Sequence, residues 1–600
     1  MTDSGSTPTY ILGVSAFYHD AAAALLRDGV VVAAAQEERF TRRKGDSSFP
    51  HQAIAYCLET AQIDVDRIDH MVFYEKPWLH FERLLESHLC SAPLGLRAFL
   101  AAMPSWLNKK LFLRRAIRRE LKSRVPILFC EHHESHMAAA FYPSPFEEAA
   151  ILTVDGVGEW ATTSFGQGQG REFEVLGELH FPHSVGLLYS AFTAYLGFRV
   201  NNGEYKVMGL APYGEPVYAD RIMEELIDLR PDGSFRLNMR YFDYMRNLRM
   251  TNRHFEALFD GPARIPETEI SVRHMNVARS LQVVTEEILL RMARHVHDQT
   301  KQRHLVLGGG VALNCVANGR ILREGPFDDI WIQPAAGDAG SALGAALAVW
   351  HRYLEQPRKV TVDQDGQRGS LLGPSFSSGE IREFLDAEAV PYRESSTDEL
   401  PGAVAGHIAD GRVVGFFQGR MEFGPRALGC RSILADARSP EMQRTLNLKI
   451  KKRESFRPFA PAVLREKVSE WFDLDKASPY MLLVTDVADK QMIAPSDSEV
   501  EGFARLQVAR STIPAVTHVD GSARIQTVER DTNPLFFDVL QAFQQRTGCG
   551  VLVNTSFNVR GEPIVCTPAE AYSCFMKTAM DVLVMENFVI QKAELSQVES

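Results

Sequence analysis

Two histidines four residues apart, His132 and His136, fall in the run His132-His133-Glu134-Ser135-His136. On a helix, side chains four apart lie one above the other on one face, so both imidazoles can reach one metal ion. Downstream, Ile151-Leu-Thr-Val-Asp155-Gly156-Val-Gly158 reads as a buried strand ending in an Asp-Gly turn. Such a turn frees backbone N–H groups, and its carboxylate can hold a hydrated cation beside phosphate. A metal pair leading into a phosphate-type turn points to one active site that handles a nucleotide. The competing reading is a histidine pair on a solvated helix. A zincin peptidase needs His-Glu-x-x-His, and here His133 rather than a glutamate follows His132.

A second concentration of chemistry lies near the C-terminus. Gly419-Arg420-Met-Glu-Phe-Gly424-Pro-Arg426-Ala-Leu-Gly429 sets two arginines in a Gly/Pro-rich turn. Lys449, Lys451, Lys452, Arg453 and Arg457 follow, then Arg524, then Asn554-Thr-Ser556-Phe-Asn558-Val-Arg560-Gly561-Glu562-Pro563. Cations beside Ser and Asn donors on an acidic protein suit a phosphate-bearing substrate. Arg457 precedes a proline, which holds it extended and able to point into a cavity. A solvated basic helix would explain 449–453 but not Arg426, Arg457 and Arg524, which lie among apolar residues.

The chain that must position these groups has 600 residues and a formal net charge of −11. That length calls for two or more domains. The acidic balance argues against nucleic-acid binding through bulk charge. The run Leu113-Arg-Arg-Ala-Ile-Arg-Arg-Glu120 reads as a solvated helix face. The eight cysteines form no C-x-x-C pair and read as reduced thiols. No basic segment followed by an apolar one opens the chain, and no apolar run approaches the roughly 18–20 residues of a membrane span. A cytoplasmic protein with no nucleic-acid or membrane partner is expected.

The elements follow from apolar runs and turns. Tyr10–Phe17 reads as a strand ending in the turn Tyr18-His19-Asp20. Ala21–Leu26 and Val30–Gln36 flank Asp28-Gly29, a hairpin signal. The pattern recurs with Ala149–Val154, the Asp155-Gly156 turn, a strand at Ala161–Phe165 and another at Phe173–Leu179. Two such hairpin-led units predict two similar lobes facing a nucleotide cleft, the plan of actin, hexokinase and heat-shock ATPases. Leu305–Gly310 is a strand ending in Gly308, Gly309 and Gly310, and Val311–Asn314 leads into a helix. Glycines there let the backbone approach a ligand, or let strand and helix pack closely. Ile332–Gly340 repeats the form. Ala339–Ala348 is so rich in Ala and Gly that another backbone must lie against it. The expected domains are residues 1–355 and 378–600, joined by a polar connector at 356–377.

At these residues the chain resembles the O-carbamoyltransferases of antibiotic and nodulation-factor biosynthesis. The matching stretches are Ser15-Ala-Phe-Tyr-His19-Asp20, Gln36-Glu-Glu-Arg39-Phe-Thr-Arg42, Gly203-Glu204-Tyr-Lys206 through Gly214, the triple glycine, Ile450-Lys451-Lys-Arg453-Glu454, Phe456–Pro461 and Asn554–Asn558. The resemblance implies an α/β chain with an actin-like, two-lobed N-terminal domain similar to the tRNA threonylcarbamoyl-transfer subunit. It implies a YrdC-like α/β C-terminal domain that makes carbamoyl adenylate from carbamoyl phosphate and ATP. The first domain would pass the carbamoyl group to a hydroxyl of a natural product such as a glycosylated polyketide or aminoglycoside, and release AMP.

It further implies a divalent metal, iron(II) in that family, on His132, His136 and Asp338, with Mg²⁺ accompanying ATP. His19 would be the base for the acceptor hydroxyl, Asp20 its orienting partner, and Lys44 a contact to the carbamoyl or phosphate group. Asp155, Gly156, Glu204, Lys206, Gly308, Gly309, Gly310 and Asn314 would hold nucleotide. Arg426, Lys451, Arg457, Arg524, Ser556 and Asn558 would hold carbamoyl phosphate and ATP. Residues 78–125 and 215–275, with Trp78, Trp106, Tyr241 and Phe242, would shape the acceptor pocket. A homodimer is expected from the same likeness. The rival reading is an actin-like sugar kinase or ATPase with an accessory anion-binding domain.

Overall fold

A computed structural model describes residues 7–108, 110–361, 364–494 and 502–598. The chain divides into two compact units, Met1–Glu37 with Gly45–Gln367, and Glu38–Lys44 with Arg368–Ser600.

The first unit holds two five-stranded sheets. One is built from β1 (Tyr10–Ser15), β2 (Ala22–Arg27), β3 (Val30–Gln36), β4 (His70–Phe73) and β5 (Ile127–Phe129), in the order β3-β2-β1-β4-β5. Asp28 and Gly29 both have positive φ, 50° and 78°, which matches the turn twist to that of the flanking strands β2 and β3. The other sheet takes β6 (Glu148–Val154), β7 (Ala161–Gln169) and β8 (Glu172–His180). After a small hairpin of β9 (Ile227–Leu229) and β10 (Phe235–Leu237), it is completed by β11 (His304–Gly308) and β12 (Asp329–Ile332), in the order β12-β11-β6-β7-β8. In both sheets an antiparallel meander is followed by two strands parallel to its first. The repeat expected from the sequence is thus one topology used twice, the duplicated plan of actin-like folds.

The helix Asp338–Ala348 is buried along its whole length and packs on β1, β2 and the helix His132–Phe141. A Cβ on Gly13 would lie 1.8 Å from the Ala342 carbonyl oxygen, and one on Gly344 would lie 1.9 Å from that of Ser135. The small-residue run therefore exists because two backbones touch this helix. Beyond it the connector is tied down. The Arg358 guanidinium donates to the carbonyls of Phe141, Tyr142, Ser144 and Phe146 at 2.8–3.1 Å and lies over the Phe141 ring.

The second unit is one mixed nine-stranded sheet flanked by helices. Its strands are β13 (Arg393–Glu394), β14 (Val414–Phe417), β15 (Arg431–Asp436), β16 (Ala460–Leu464), β17 (Leu483–Asp486), β18 (Ser522–Val528), β19 (Val551–Ser556), β20 (Val582–Met585) and β21 (Phe588–Gln591). They lie in the order β13-β21-β20-β14-β15-β19-β16-β18-β17. Residues 38–44 belong to this unit, a departure from the 1–355 reading. Arg39 donates to the Gly424 carbonyl at 2.8 Å. Arg42 donates to those of Pro563 and Ile564 at 2.8 and 2.7 Å and pairs with Glu570 at 3.3 Å. Phe40 packs on Met421, Ala427, Ile564 and Cys566. Partners so distant in sequence are invisible to a reading by local pattern.

Candidate metal and nucleotide site

The His132–Phe141 helix begins just after β5, and both of its four-spaced imidazoles are buried. Asp155 stands at the end of β6, and Asp338 is the first residue of the small-residue helix. His132 Nε2 lies 3.1 Å from His136 Nε2 and 3.2 Å from an Asp155 oxygen. Asp338 Oδ1 lies 3.7 Å from His132 Nε2 and 3.9 Å from His136 Nε2. One ligand atom from each of the four residues falls within 4.8 Å of every other. Asp155 thus joins the set expected from His132, His136 and Asp338.

The surroundings fix these groups. Ser341 Oγ meets His136 Nδ1 at 3.1 Å, which turns Nε2 into the cluster. The Gly310 N–H donates to Asp155 Oδ1 at 2.8 Å. Gly309 has φ +82°, and a Cβ there would lie 2.3 Å from the Val154 carbonyl oxygen, so the turn after β11 demands glycine. Glu159 accepts from the backbone N–H of His132 at 3.0 Å and of Lys76 at 2.7 Å. His133 turns elsewhere, its Nδ1 meeting Ser164 Oγ at 2.8 Å. Burial, then the nearby His132 charge, pushes it down to about 3, so it serves as a neutral packing partner.

The four groups fit a divalent cation. Asp338 Oδ2 is buried with no hydrogen-bond partner among the described residues, and two imidazole Nε2 atoms face each other at contact distance. Two nitrogens and two carboxylates form a donor set for first-row transition metals. Burial would raise Asp155, but its hydrogen bond to His132 and the neighbouring imidazoles hold it well below the ordinary carboxylate range. Burial pushes Asp338 up to about 6 against the pull of His19 and His132. His19, in the turn after β1, has Nδ1 3.1 Å from Asp20 and Nε2 3.7 Å from Asp338 Oδ2. Burial opposes its charge, yet Asp338 and Asp20 outweigh burial and push it up to about 10.

The residues expected at the nucleotide divide. Gly156 and Gly308–Gly310 adjoin Asp155. Asn314 instead caps the helix Cys315–Glu324 and pairs with Gln282 at 3.0 and 3.1 Å. Glu204 accepts from Ser190 and from the N–H groups of Asn201 and Gly203. Lys206 Nζ lies over the Phe198 ring at 5.4 Å. Of the expected acceptor-pocket aromatics, Trp106, Tyr241 and Phe242 are core residues, and only Trp78 is exposed.

In the second unit, Lys451 is buried at the end of a helical turn. Its Nζ bonds the Ser556 carbonyl and, at 2.7 Å, Asn558 Oδ1, while Ser556 Oγ donates to the same Oδ1 at 2.7 Å. Burial, then the Arg453 charge, with Arg457 and Lys44 adding to it, holds Lys451 well below the usual amine range. Lys44 therefore belongs with Lys451 in this unit. Glu454 pairs with Arg457 at 3.8 Å and Arg560 at 3.7 Å. Arg426 lies in the loop between β14 and β15, and Arg524 lies on β18. Sequence reasoning missed Glu159 and Ser341, and it named Glu454 and Arg560 within its motifs without giving either a role. Ser341 alone carried a local signal, being one turn beyond Asp338 on the same helix.

Two family models match the chain: Carbamoyltransferase N-terminus over residues 10–347 and Carbamoyltransferase C-terminus over residues 405–592. An uncharacterised protein of Synechocystis sp. is 58% identical, with 98% of each chain covered. Nodulation protein NolNO of Sinorhizobium fredii is 38% identical over 97% of this chain and 80% of its own. The 3'-hydroxymethylcephem-O-carbamoyltransferase of Amycolatopsis lactamdurans is 30% identical over 72% of this chain and 75% of its own.

Proposed function

The chain belongs to the carbamoyltransferase family, and from that membership we propose an ATP-dependent O-carbamoyltransferase with two separate active sites. In the second unit, carbamoyl phosphate loses its phosphate to water. The resulting carbamate oxygen attacks the α-phosphorus of ATP and expels pyrophosphate. In the first unit, the hydroxyl of a small-molecule acceptor attacks the carbamoyl carbon of the adenylate and expels AMP. The observation that carries this reading is the buried His132, His136, Asp155 and Asp338 group beside the Gly308–Gly310 turn. The relatives' printed names, a nodulation protein and a cephem O-carbamoyltransferase, support a natural-product hydroxyl as acceptor.

When bound by those four residues, a divalent ion such as iron(II) supplies Lewis acidity to a phosphate or carbamoyl oxygen. The chain's own groups do the rest. The Gly156 and Gly309 turns would let the backbone approach the phosphates closely, while the Gly310 N–H holds Asp155 in place. His19 takes the acceptor's proton at Nε2, held in register by Asp20 at Nδ1. Base action needs the neutral ring, so each negative charge removed from around His19 brings it from about 10 toward the working pH. Lys451 pins the Ser556 and Asn558 oxygens, so this loop is ordered before the substrate arrives, and Arg426, Arg457 and Arg524 would supply positive charge for its phosphates.

The test is product analysis with carbamoyl phosphate and α-labelled ATP. Pyrophosphate and AMP are expected, with AMP release rising when a hydroxyl acceptor is added. ADP as the sole nucleotide product would rule out adenylation and favour a kinase or ATPase.

A further inference from the structure

We propose that the helical hairpin Pro77–Ser91 and Leu96–Asn108, with the basic helix Leu113–Leu121 that follows it, docks this protein on an anionic lipid bilayer surface. In the second of these helices Leu96, Leu100 and Leu107 stand at i, i+4 and i+11, on one face. They are 62%, 60% and 53% exposed. The flank about a quarter-turn away is occupied: Phe99 meets the His88 ring at 4.7 Å, and Trp106 meets His80 at 4.8 Å and Phe81 at 5.7 Å. The helix is therefore seated by its aromatic side and leaves its leucine stripe uncovered. Trp78 and Leu89, also eleven apart on the first helix, are exposed as well.

The element is not a loose flap. Its first helix is fastened by the Lys76 N–H to Glu159 at 2.7 Å and by Arg83 to the Gly158 carbonyl.

Charge names the occupant. In the basic helix Leu113 and Ile117 are buried, while Arg114, Arg115, Arg118 and Arg119 face solvent, on a chain whose net charge is −11. Exposed leucines on one helix, followed closely in sequence by a helix with a cationic face, are the composition of a segment that lies in a bilayer interface and prefers anionic headgroups. No helix among the described residues is long and apolar enough to cross a membrane, so the hairpin lies on the surface. The expectation of no membrane partner rested on the absence of a spanning run, which does not bear on a surface-lying hairpin.

The test is co-sedimentation of the full chain with vesicles of phosphatidylcholine alone or mixed with phosphatidylglycerol, beside sedimentation equilibrium without vesicles. Binding to the mixed vesicles is expected, weakening as salt is raised. Arg118→Ala with Arg119→Ala should lower partition about 25-fold, at about fivefold per charge. Leu100→Asp with Leu107→Asp should abolish it. All four side chains are exposed, so unchanged circular dichroism and thermal midpoints are expected, and the arginine pair decides the matter if the leucine variant misfolds. Wild-type protein left in the supernatant overturns the proposal. So does equal binding to both vesicle types, or a self-association that Leu100→Asp disrupts, which would make the face a contact between copies.

Discussion

His132 Nε2 and His136 Nε2 sit 3.1 Å apart with carboxylates on two sides. Two ring nitrogens at that distance need a proton or a cation between their lone pairs. The neighbouring Asp338 oxygen, buried without a hydrogen-bond partner among the described residues, favours the cation. Protein purified without chelator is therefore expected to carry one divalent transition-metal ion per chain. His136→Ala and Asp155→Asn should each lose it by elemental analysis. Ser341→Ala, which frees the His136 ring to turn, should weaken binding about 10- to 100-fold. Full metal content in Asp155→Asn would return that carboxylate to the nucleotide alone. The histidines and the Asp155 turn were legible in the sequence because their spacing is local. Asp338 was reached only through family likeness. Glu159 was not legible, since its worth lies in two backbone N–H groups, of Lys76 and His132, that only the fold brings to it.

Elements are where local chemistry and packing meet. The hairpins were readable from Asp28-Gly29 and alternating apolar runs. The placement of 38–44 in the second unit was not, because Arg39 and Arg42 find carbonyls hundreds of residues away. The Ala/Gly run at 339–348 forecast close packing without naming its neighbours. Gly344→Ala should cost about 1–3 kcal/mol of stability and weaken metal binding, since the added carbon meets the Ser135 carbonyl. Gly402→Ala, in the helix Leu400–Ala409 with nothing near its Cβ, should instead stabilise by up to about 1 kcal/mol. Equal effects in thermal unfolding would refute the packing argument.

The long helix Val272–Thr300 starts with a capping box in which His274 accepts from the Ser271 N–H. Burial, with help from Arg273 and Arg264, pushes His274 down to about 4. The unfolded chain binds a proton near pH 6.5 and the folded one does not until about 4. This stability is therefore complete above 6.5 and lost as pH falls toward 4. About 2 kcal/mol should vanish between pH 7.5 and 5. His274→Gln keeps the cap but cannot titrate, so its urea midpoint should fall less over that range; an unchanged slope would count against the assignment.

At the scale of the whole molecule, the two units carry their candidate sites on different sheets, so their partial reactions should separate. His19 and the four-ligand group belong to the first unit, and Lys451, Ser556 and Asn558 to the second. Removing a general base costs about 10²–10⁴-fold in the step it serves. His19→Asn should therefore slow carbamoyl transfer to the acceptor by that factor and leave pyrophosphate release largely intact. Lys451→Ala should do the reverse. Its amine is buried and bonded to Ser556 and Asn558, and its loss frees a loop and strands the Asn558 and Ser556 oxygens that it bonded. Lys451→Arg should not rescue, because a fully buried pocket sized for one amine has no room for a guanidinium. A Lys451→Ala chain supplied with carbamoyl adenylate should still carbamoylate the acceptor, whereas a His19→Asn chain should do so about 10²–10⁴-fold more slowly. Equal loss of both partial reactions in His19→Asn would mean that the histidine holds the fold or a shared nucleotide, and the assignment of separate chemistry to the two units would fail.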